Sequence, residues 1–197
     1  MLFAIARYVF GVIIFDYRYN YRYFWAVFKL TVVAKTLILS KEVAYKKMQR
    51  ISLEIAEQLY GEKDALIIIG ITGSGMVIAE KLHSLLSPLL NMPLQIVSCN
   101  VNKRKPEAIT YSEDIDFTGK NILLVDDVTN SGRTLLYALK PLLNYYPQRI
   151  QTMSLVERMH KSFPVNIDYI GLSVATTLQE HIQVEVEDGD VVGAYIQ

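Results

Sequence analysis

From Thr36 onward the apolar positions alternate between helical and strand patterns. Ser40 is a good N-cap with Glu42 in the first turn, and Met48, Ile51, Ile55 and Leu59 follow at helical spacing until Gly61 ends the run. Residues 65–69 are continuously apolar, as in a strand covered on both faces. The corner Gly70-Ile71-Thr72-Gly73-Ser74-Gly75 then leads into a helix over about residues 76–90. Pro93 resets the chain before a strand over 94–99, and residues 100–119 are polar without strong periodicity. A buried strand over 122–125 and a loop precede a helix over about 132–145, which Pro141 kinks or ends early. Residues 150–156 form another strand, and residues 167–196 are β-rich with a turn at Glu187-Asp188-Gly189-Asp190. This order predicts an α/β fold: a central parallel sheet flanked by helices, with a small β-rich C-terminal hood. Ligands are expected at the carboxyl ends of the parallel strands. There is no internal repeat and no low-complexity linker.

Residues 1–35 follow a different pattern. Five of the 13 tyrosines and five of the seven phenylalanines lie at or before Phe28, together with Trp25. Residues 2–15 are apolar except for Arg7, too short a run for a comfortable transmembrane helix, so no stable membrane insertion is expected. The run would suit the apolar part of a signal peptide, but no small-residue cleavage site is visible. From Asp16 to Tyr23 tyrosine alternates with polar residues, which fits a strand, an RNA-stacking surface or nothing folded. Three readings stay open: a non-native leader translated from an upstream start, a membrane-associating segment, or an integral element. The remainder, 36–197, is expected to fold without residues 1–33.

Composition narrows the function classes. A chain of 197 residues buries a core without staples and suggests one domain of ordinary size. Twenty basic side chains balance 20 acidic ones, so the molecule as a whole offers no strong field to a polyanion. The single cysteine, Cys99, excludes an internal disulfide framework and suits a reducing cytoplasm. With three scattered histidines and that one cysteine, a zinc site is not expected.

The chemistry concentrates in Val125-Asp126-Asp127-Val128-Thr129-Asn130-Ser131-Gly132-Arg133-Thr134. An apolar strand delivers two acids to its tip, where carboxylates can accept hydrogen bonds from vicinal ribose hydroxyls. The loop then turns around Gly132 into a helix N-terminus, where backbone N–H groups and the helix dipole stabilise a phosphate. Ser131 and Thr134 can add hydroxyl donors. Nothing in the loop is a nucleophile, so it binds a sugar phosphate without attacking it. The plainer alternatives are a corner with acids as N-caps, or part of a nucleotide hydrolase metal site. The latter lacks its Gly-Lys-Ser/Thr phosphate loop.

This string resembles the phosphoribosyl-diphosphate signature of the type I phosphoribosyltransferases. The resemblance implies that Asp126 and Asp127 are the catalytic acids that hold the ribose hydroxyls. It implies that Thr129, Asn130, Ser131, Gly132, Arg133 and Thr134 hold the 5-phosphate. The implied reaction displaces diphosphate from ribose C1 by a base nitrogen through an oxocarbenium-like state, with Mg2+ on the diphosphate and no direct protein ligand. The earlier corner, Ile71, Thr72, Gly73, Ser74 and Gly75, would be the diphosphate loop. Three glycines in the six residues from Gly70 to Gly75 let N–H groups approach an anion. Many family members carry Lys or Arg there. This chain has Thr72 and Ser74, so diphosphate would rest on backbone donors and magnesium.

The resemblance runs over about residues 36–197 and looks closest to the bifunctional pyrimidine-operon regulators that are also uracil phosphoribosyltransferases. It is carried by Leu37-Ile38-Leu39-Ser40, by Leu155-Val156-Glu157-Arg158-Met159-His160, by Asp168-Tyr169-Ile170-Gly171 and by Val192-Gly193-Ala194-Tyr195. Hypoxanthine–guanine enzymes share the layout more distantly. Carried over, Glu157, Tyr169, Ile170 and Thr176 are the candidate base contacts. The family's closing loop would fall in residues 100–119, here short, with Lys103, Arg104 and Lys105 as its obvious cations and Tyr111-Ser112 as a hydroxyl pair. Met159 stands where the regulators tend to have glycine. The implied function is phosphoribosyl transfer to a nucleobase, with uracil favoured, in a cytoplasmic homo-oligomer. One alternative is an RNA-binding attenuator using Arg158, His160, Lys161, Lys46, Lys47 and Arg50. Another is purine salvage.

Overall fold

The computed structural model describes residues 7–9, 12–14, 35–101, 109–177 and 180–197. The chain divides into two compact units, residues 1–34 and 35–197. In the first, β1 (Arg7–Val9) pairs antiparallel with β2 (Val12–Ile14), with Val9 opposite Val12. The tyrosine-rich tract at 16–23 lies outside the described residues.

The second unit opens with β3 (Thr36–Ser40), α1 (Lys41–Gln58), β4 (Leu66–Ile71), α2 (Ser74–Leu86) and β5 (Leu94–Val101). It continues with β6 (Ile109–Tyr111), β7 (Asn121–Thr129), α3 (Arg133–Leu142), β8 (Arg149–Arg158) and β9 (Tyr169–Val174). It closes with β10 (Ile182–Glu187) and β11 (Asp190–Ile196). Six strands form one sheet in the order β6-β5-β4-β7-β8-β9, and every pairing is parallel except that of the edge strand β6. A second, three-stranded antiparallel sheet has the order β10-β11-β3.

Alternation along the central strands supplies two apolar layers. Leu66 and Ile68 of β4 and Leu123 and Val125 of β7 face a core shared with α1, α2 and the small sheet, including Ile51, Ile55, Leu82, Val184 and Ala194. Ile67, Ile69 and Ile71, with Ile122 and Leu124, face a second core with Leu135, Ala138, Leu142 and Phe117. Each fully buried Ile or Leu contributes roughly 1.5–3 kcal/mol through water exclusion, which decides that β4, buried at every position, lies in the middle of the sheet.

Local chemistry sets the ends. Ser40 Oγ accepts the Val43 N–H at 3.4 Å, and the apolar stripe of Ala44, Met48, Ile51 and Ile55 turns α1 onto the sheet. Ser52, buried within that stripe, satisfies its hydroxyl on the Met48 carbonyl at 2.9 Å. Asp188 and Gly189, with φ of 49° and 76°, make the two-residue turn of the β10–β11 hairpin.

Several boundaries differ from the sequence expectation. Helix α2 starts at Ser74 and ends at Leu86, so it begins inside the glycine corner instead of after it. Strand β7 does not stop at Val125 but pairs with β8 as far as Thr129, carrying both acids within it. Helix α3 ends at Leu142, one residue after Pro141, whose lack of an N–H interrupts the ladder and stops the helix early, as its position in the sequence suggests. The stretch over 100–119 contains the short strand β6. The hood recruits β3, read from the sequence only as the approach to a helix.

Candidate active site

Strands β4 and β7 lie side by side and in parallel, with Gly70 opposite Val125, so the corners that follow them open at the same edge of the sheet. Contact between the two corners is direct. A Cβ on Gly75 would lie 3.2 Å from the Val125 carbonyl oxygen and 3.4 Å from Asp126 Cα. A side chain there would be tight against the strand that carries the acids, so glycine lets the first turn of α2 rest on it without displacement. Gly70 serves packing: a Cβ there would come within 2.8 Å of Met76 Cα.

Both helices that start at this edge are capped by glycine, α2 by Gly73 (φ 96°) and α3 by Gly132 (φ 81°), and neither cap supplies a side-chain hydrogen bond. Neither cap residue therefore offers a side-chain acceptor to the N–H groups of the first turn, an arrangement that favours an anion at a helix start. Around the first corner, the Thr72 N–H donates to the Cys99 carbonyl at 3.0 Å. Ile71 is buried, Thr72 and Gly73 are exposed, and Ser74 is half-buried.

The two acids occupy different environments because successive strand residues face opposite ways. Asp126 is 2% exposed, and its Oδ1 accepts the Asp127 N–H at 3.0 Å. It lies near Cys99, whose thiol is pushed up to about 12, first by burial and then by the charge of Asp126. Asp127 is half-buried at the open edge. Of the two acids expected to hold the ribose hydroxyls, Asp127 is the accessible carboxylate and Asp126 is buried.

The phosphate loop is braced from behind. The buried Thr129 donates its N–H to Ser154 Oγ at 3.1 Å, and that hydroxyl donates to the Val156 carbonyl at 2.7 Å. The Ser131 carbonyl accepts the N–H groups of Ser162 (3.1 Å) and Phe163 (3.0 Å), and the Arg133 N–H donates to Ser131 Oγ at 3.3 Å. Arg133 itself is exposed and Thr134 half-buried. Thr129 Oγ1 and Asn130 Oδ1 are buried without a hydrogen-bond partner.

A cleft of about 550 Å³ opens beside this loop, lined by Asn130, Ser131, Arg158, His160, Ser162, Thr176, Thr177 and His181. Of the expected site residues it brings together Asn130, Ser131 and Thr176. Arg158 and His160, expected on an RNA-binding face, line it too. Ser162, Thr177 and His181 had no motif to mark them. They come from the loop after β8 and the segment leading into β10, which meet only in the folded chain.

Three expected base contacts are not among the residues lining this cleft. Tyr169 is 2% exposed, and its hydroxyl donates to Gln58 Oε1 at 2.9 Å at the end of α1. Burial pushes that phenol up to about 12. Ile170 packs against the second core, and its carbonyl accepts Arg50 Nη2 at 2.6 Å. Both open β9 opposite Met153 and Ser154, below the carboxyl edge of the sheet. Glu157 is buried, with Oε2 bonded to Lys161 Nζ at 2.5 Å and Oε1 accepting the Ser173 hydroxyl at 2.8 Å, so both oxygens are engaged beside the cleft. Lys103, Arg104 and Lys105 lie outside the described residues. Among the described residues, no group of three or more His, Cys, Asp and Glu side chains could hold a metal ion. No described helix is long and apolar enough to cross a membrane.

Residues 37–188 match the model of the phosphoribosyl transferase domain. The chain belongs to that family. The chain is 32% identical over 161 residues to the Bifunctional protein PyrR of Actinobacillus pleuropneumoniae serotype 5b (strain L20), covering 77% of this chain and 89% of that protein. It is 33% identical over 165 residues to the protein of the same name from Limosilactobacillus reuteri subsp. reuteri (strain JCM 1112), covering 78% and 92%. Among solved structures, the hypoxanthine phosphoribosyltransferase of Trypanosoma cruzi superposes with a TM-score of 0.67 at 16% identity, over 81% of this chain and 96% of that one. A hypoxanthine-guanine phosphoribosyltransferase from Bacillus anthracis gives 0.60 at 18% identity, over 72% and 84%. The structural likenesses show the fold: a central, mostly parallel sheet with flanking helices and an added antiparallel sheet.

Proposed function

We propose that the protein transfers the 5-phosphoribosyl group from 5-phosphoribosyl 1-diphosphate to a ring nitrogen of a nucleobase, uracil being favoured, and releases diphosphate. The observation that carries this reading is the contact of Gly75 with Val125 and Asp126. It sets two glycine-capped helix starts, each suited to an anion, at one edge of the sheet with an accessible carboxylate beside them. A pentose with a phosphate at one end and a diphosphate at the other matches that spacing of charge.

In this reading the α3 start and the hydroxyls of Ser131 and Thr134 bind the 5-phosphate, and the α2 start binds the diphosphate. Asp127 accepts the ribose hydroxyls, and Asp126 fixes the Asp127 backbone through the 3.0 Å bond. The C1–O bond breaks with its electron pair leaving on diphosphate. The base nitrogen then donates a pair to C1 and releases its proton to water. The glycine corner holds no acid, so magnesium fits as an ion carried by diphosphate oxygens and water, the coordination it prefers. When bound, it neutralises charge on the leaving group.

Uracil is favoured by the sequence resemblance to the pyrimidine-operon regulators, and the relatives' name supports the same group. Incubation of the full chain with labelled uracil, phosphoribosyl diphosphate and magnesium tests the reading. Formation of uridine monophosphate is expected, and no turnover with any common base would overturn it.

A further inference from the structure

The two corners are held to their neighbouring strands by different chemistry. In the first, the Thr72 N–H donates to the Cys99 carbonyl of β5 at 3.0 Å, an acceptor that no side-chain change removes. In the second, the N–H of Thr129, the last residue of β7, donates to a side chain, Ser154 Oγ on β8, at 3.1 Å. That hydroxyl donates in turn to the Val156 carbonyl at 2.7 Å. Its single proton is thus committed to Val156, and its oxygen serves as the acceptor for Thr129. Ser154 is fully buried and lies opposite Asp126 in the ladder, so it reaches forward from the level of the acids to the start of the phosphate loop.

The consequence falls on the loop. Thr129 spends its N–H on Ser154 and cannot turn it toward a phosphate. The N–H groups of Asn130, Ser131 and Gly132 come next, and they donate to no backbone carbonyl among the described residues. The plane of the peptide from which these three depart is set by the bond to Ser154. We propose that Ser154 is a positioning residue for the 5-phosphate: its hydroxyl fixes the Thr129 peptide and thereby aims the three N–H groups that follow. This rests on the phosphoribosyl reading and adds to it a residue that lies outside the loop. Loss of the hydroxyl deprives a buried N–H of its acceptor, and the half-buried residues Asn130 and Ser131 are the part of the chain able to shift in response. The diphosphate corner, tied by a backbone carbonyl, keeps its shape.

Titration calorimetry of the full chain with ribose 5-phosphate and, separately, with diphosphate and magnesium tests the assignment. In Ser154→Ala ribose 5-phosphate affinity should fall by roughly tenfold, the order expected when a buried donor loses its acceptor, while diphosphate affinity stays within about twofold. A loss of stability alone would not divide the two ligands in this way. Ser154→Cys keeps nearly the same volume but offers only a weak donor and acceptor, so it should behave as the alanine variant does. It also carries the test if Ser154→Ala does not fold. Ser154→Thr keeps the hydroxyl and should bring ribose 5-phosphate binding back to within about threefold of wild type. Equal losses for both ligands, wild-type ribose 5-phosphate affinity without the hydroxyl, or a threonine variant no better than alanine would overturn the proposal. Wild-type protein that binds neither ligand would instead overturn the phosphoribosyl reading, and this inference with it.

Discussion

The guanidinium of Arg133 sits 5.1 Å above the ring of Phe163. The first residue of α3 is thereby joined to the loop that follows β8, where Phe163 already donates its N–H to the Ser131 carbonyl. The stack and that hydrogen bond together hold the phosphate loop against one wall of the cleft.

Phe163→Ala should loosen that attachment. An exposed cation–π contact is worth about 0.5–1 kcal/mol, so ribose 5-phosphate affinity should fall roughly two- to fivefold. Calorimetry on the variant checks this, and unchanged affinity would mean that the loop holds its own shape.

Gly75→Ala places a methyl against the Val125 backbone, which cannot retreat without disturbing β7. Overpacking of this kind costs about 1–3 kcal/mol. Affinity for phosphoribosyl diphosphate should drop more than affinity for ribose 5-phosphate, because the displaced element is the α2 start. Comparing the two ligands in one variant reads the difference.

The two acids should separate on substitution. Asp127→Asn removes a charged acceptor for the ribose hydroxyls and should weaken phosphoribosyl diphosphate by roughly 10- to 100-fold with little change in melting temperature. Asp126→Ala should lower the melting temperature, because it leaves the Asp127 N–H without its acceptor. Thermal unfolding and ligand titration on both variants decide the division.

Tyr169→Phe should cost about 1 kcal/mol of stability through the lost bond to Gln58 and leave nucleotide affinity untouched. Urea unfolding gives the first quantity and nucleotide titration the second. A large loss of affinity would restore Tyr169 to the base site.

Alkaline pH should destabilise the fold in a defined direction. The Cys99 thiol is raised from 9.0 to about 12 in the folded chain, so above pH 9 the unfolded chain has released a proton that the native chain retains. Stability from this group is complete below pH 9 and is lost as pH rises toward 12, and Tyr169 acts in the same sense between 10.0 and about 12. Iodoacetamide at pH 9 should modify Cys99 in urea and spare it in the native protein.

The sequence made the central layer legible where burial leaves a local signature. The continuous apolar runs of β4, β7 and β8, the Ser40 cap and the glycine corner all lie within a few residues of the structure they encode. Other features depend on partners far along the chain. Strand β3 is exposed over its first two residues and acquires its role only by pairing with β11. Tyr169 is a candidate base contact by the family resemblance alone, and a motif carried over does not say that its hydroxyl is taken by Gln58 at the end of α1. For the two aspartates the limit was different: the apolar run ends at Val125, while the backbone ladder continues to Thr129. His181 joins the cleft by tertiary folding alone, and no spacing in the chain announces it.

Thr36 lies opposite Ile196, so the small sheet joins residues 160 positions apart. On a ribosome the central sheet can assemble while this sheet still lacks its last strand. The hairpin that follows His181 therefore closes late, and the wall of the cleft next to it is finished only once the chain has been made as far as β11. Nascent chains halted before Asp190 should be compact yet unable to retain a nucleotide.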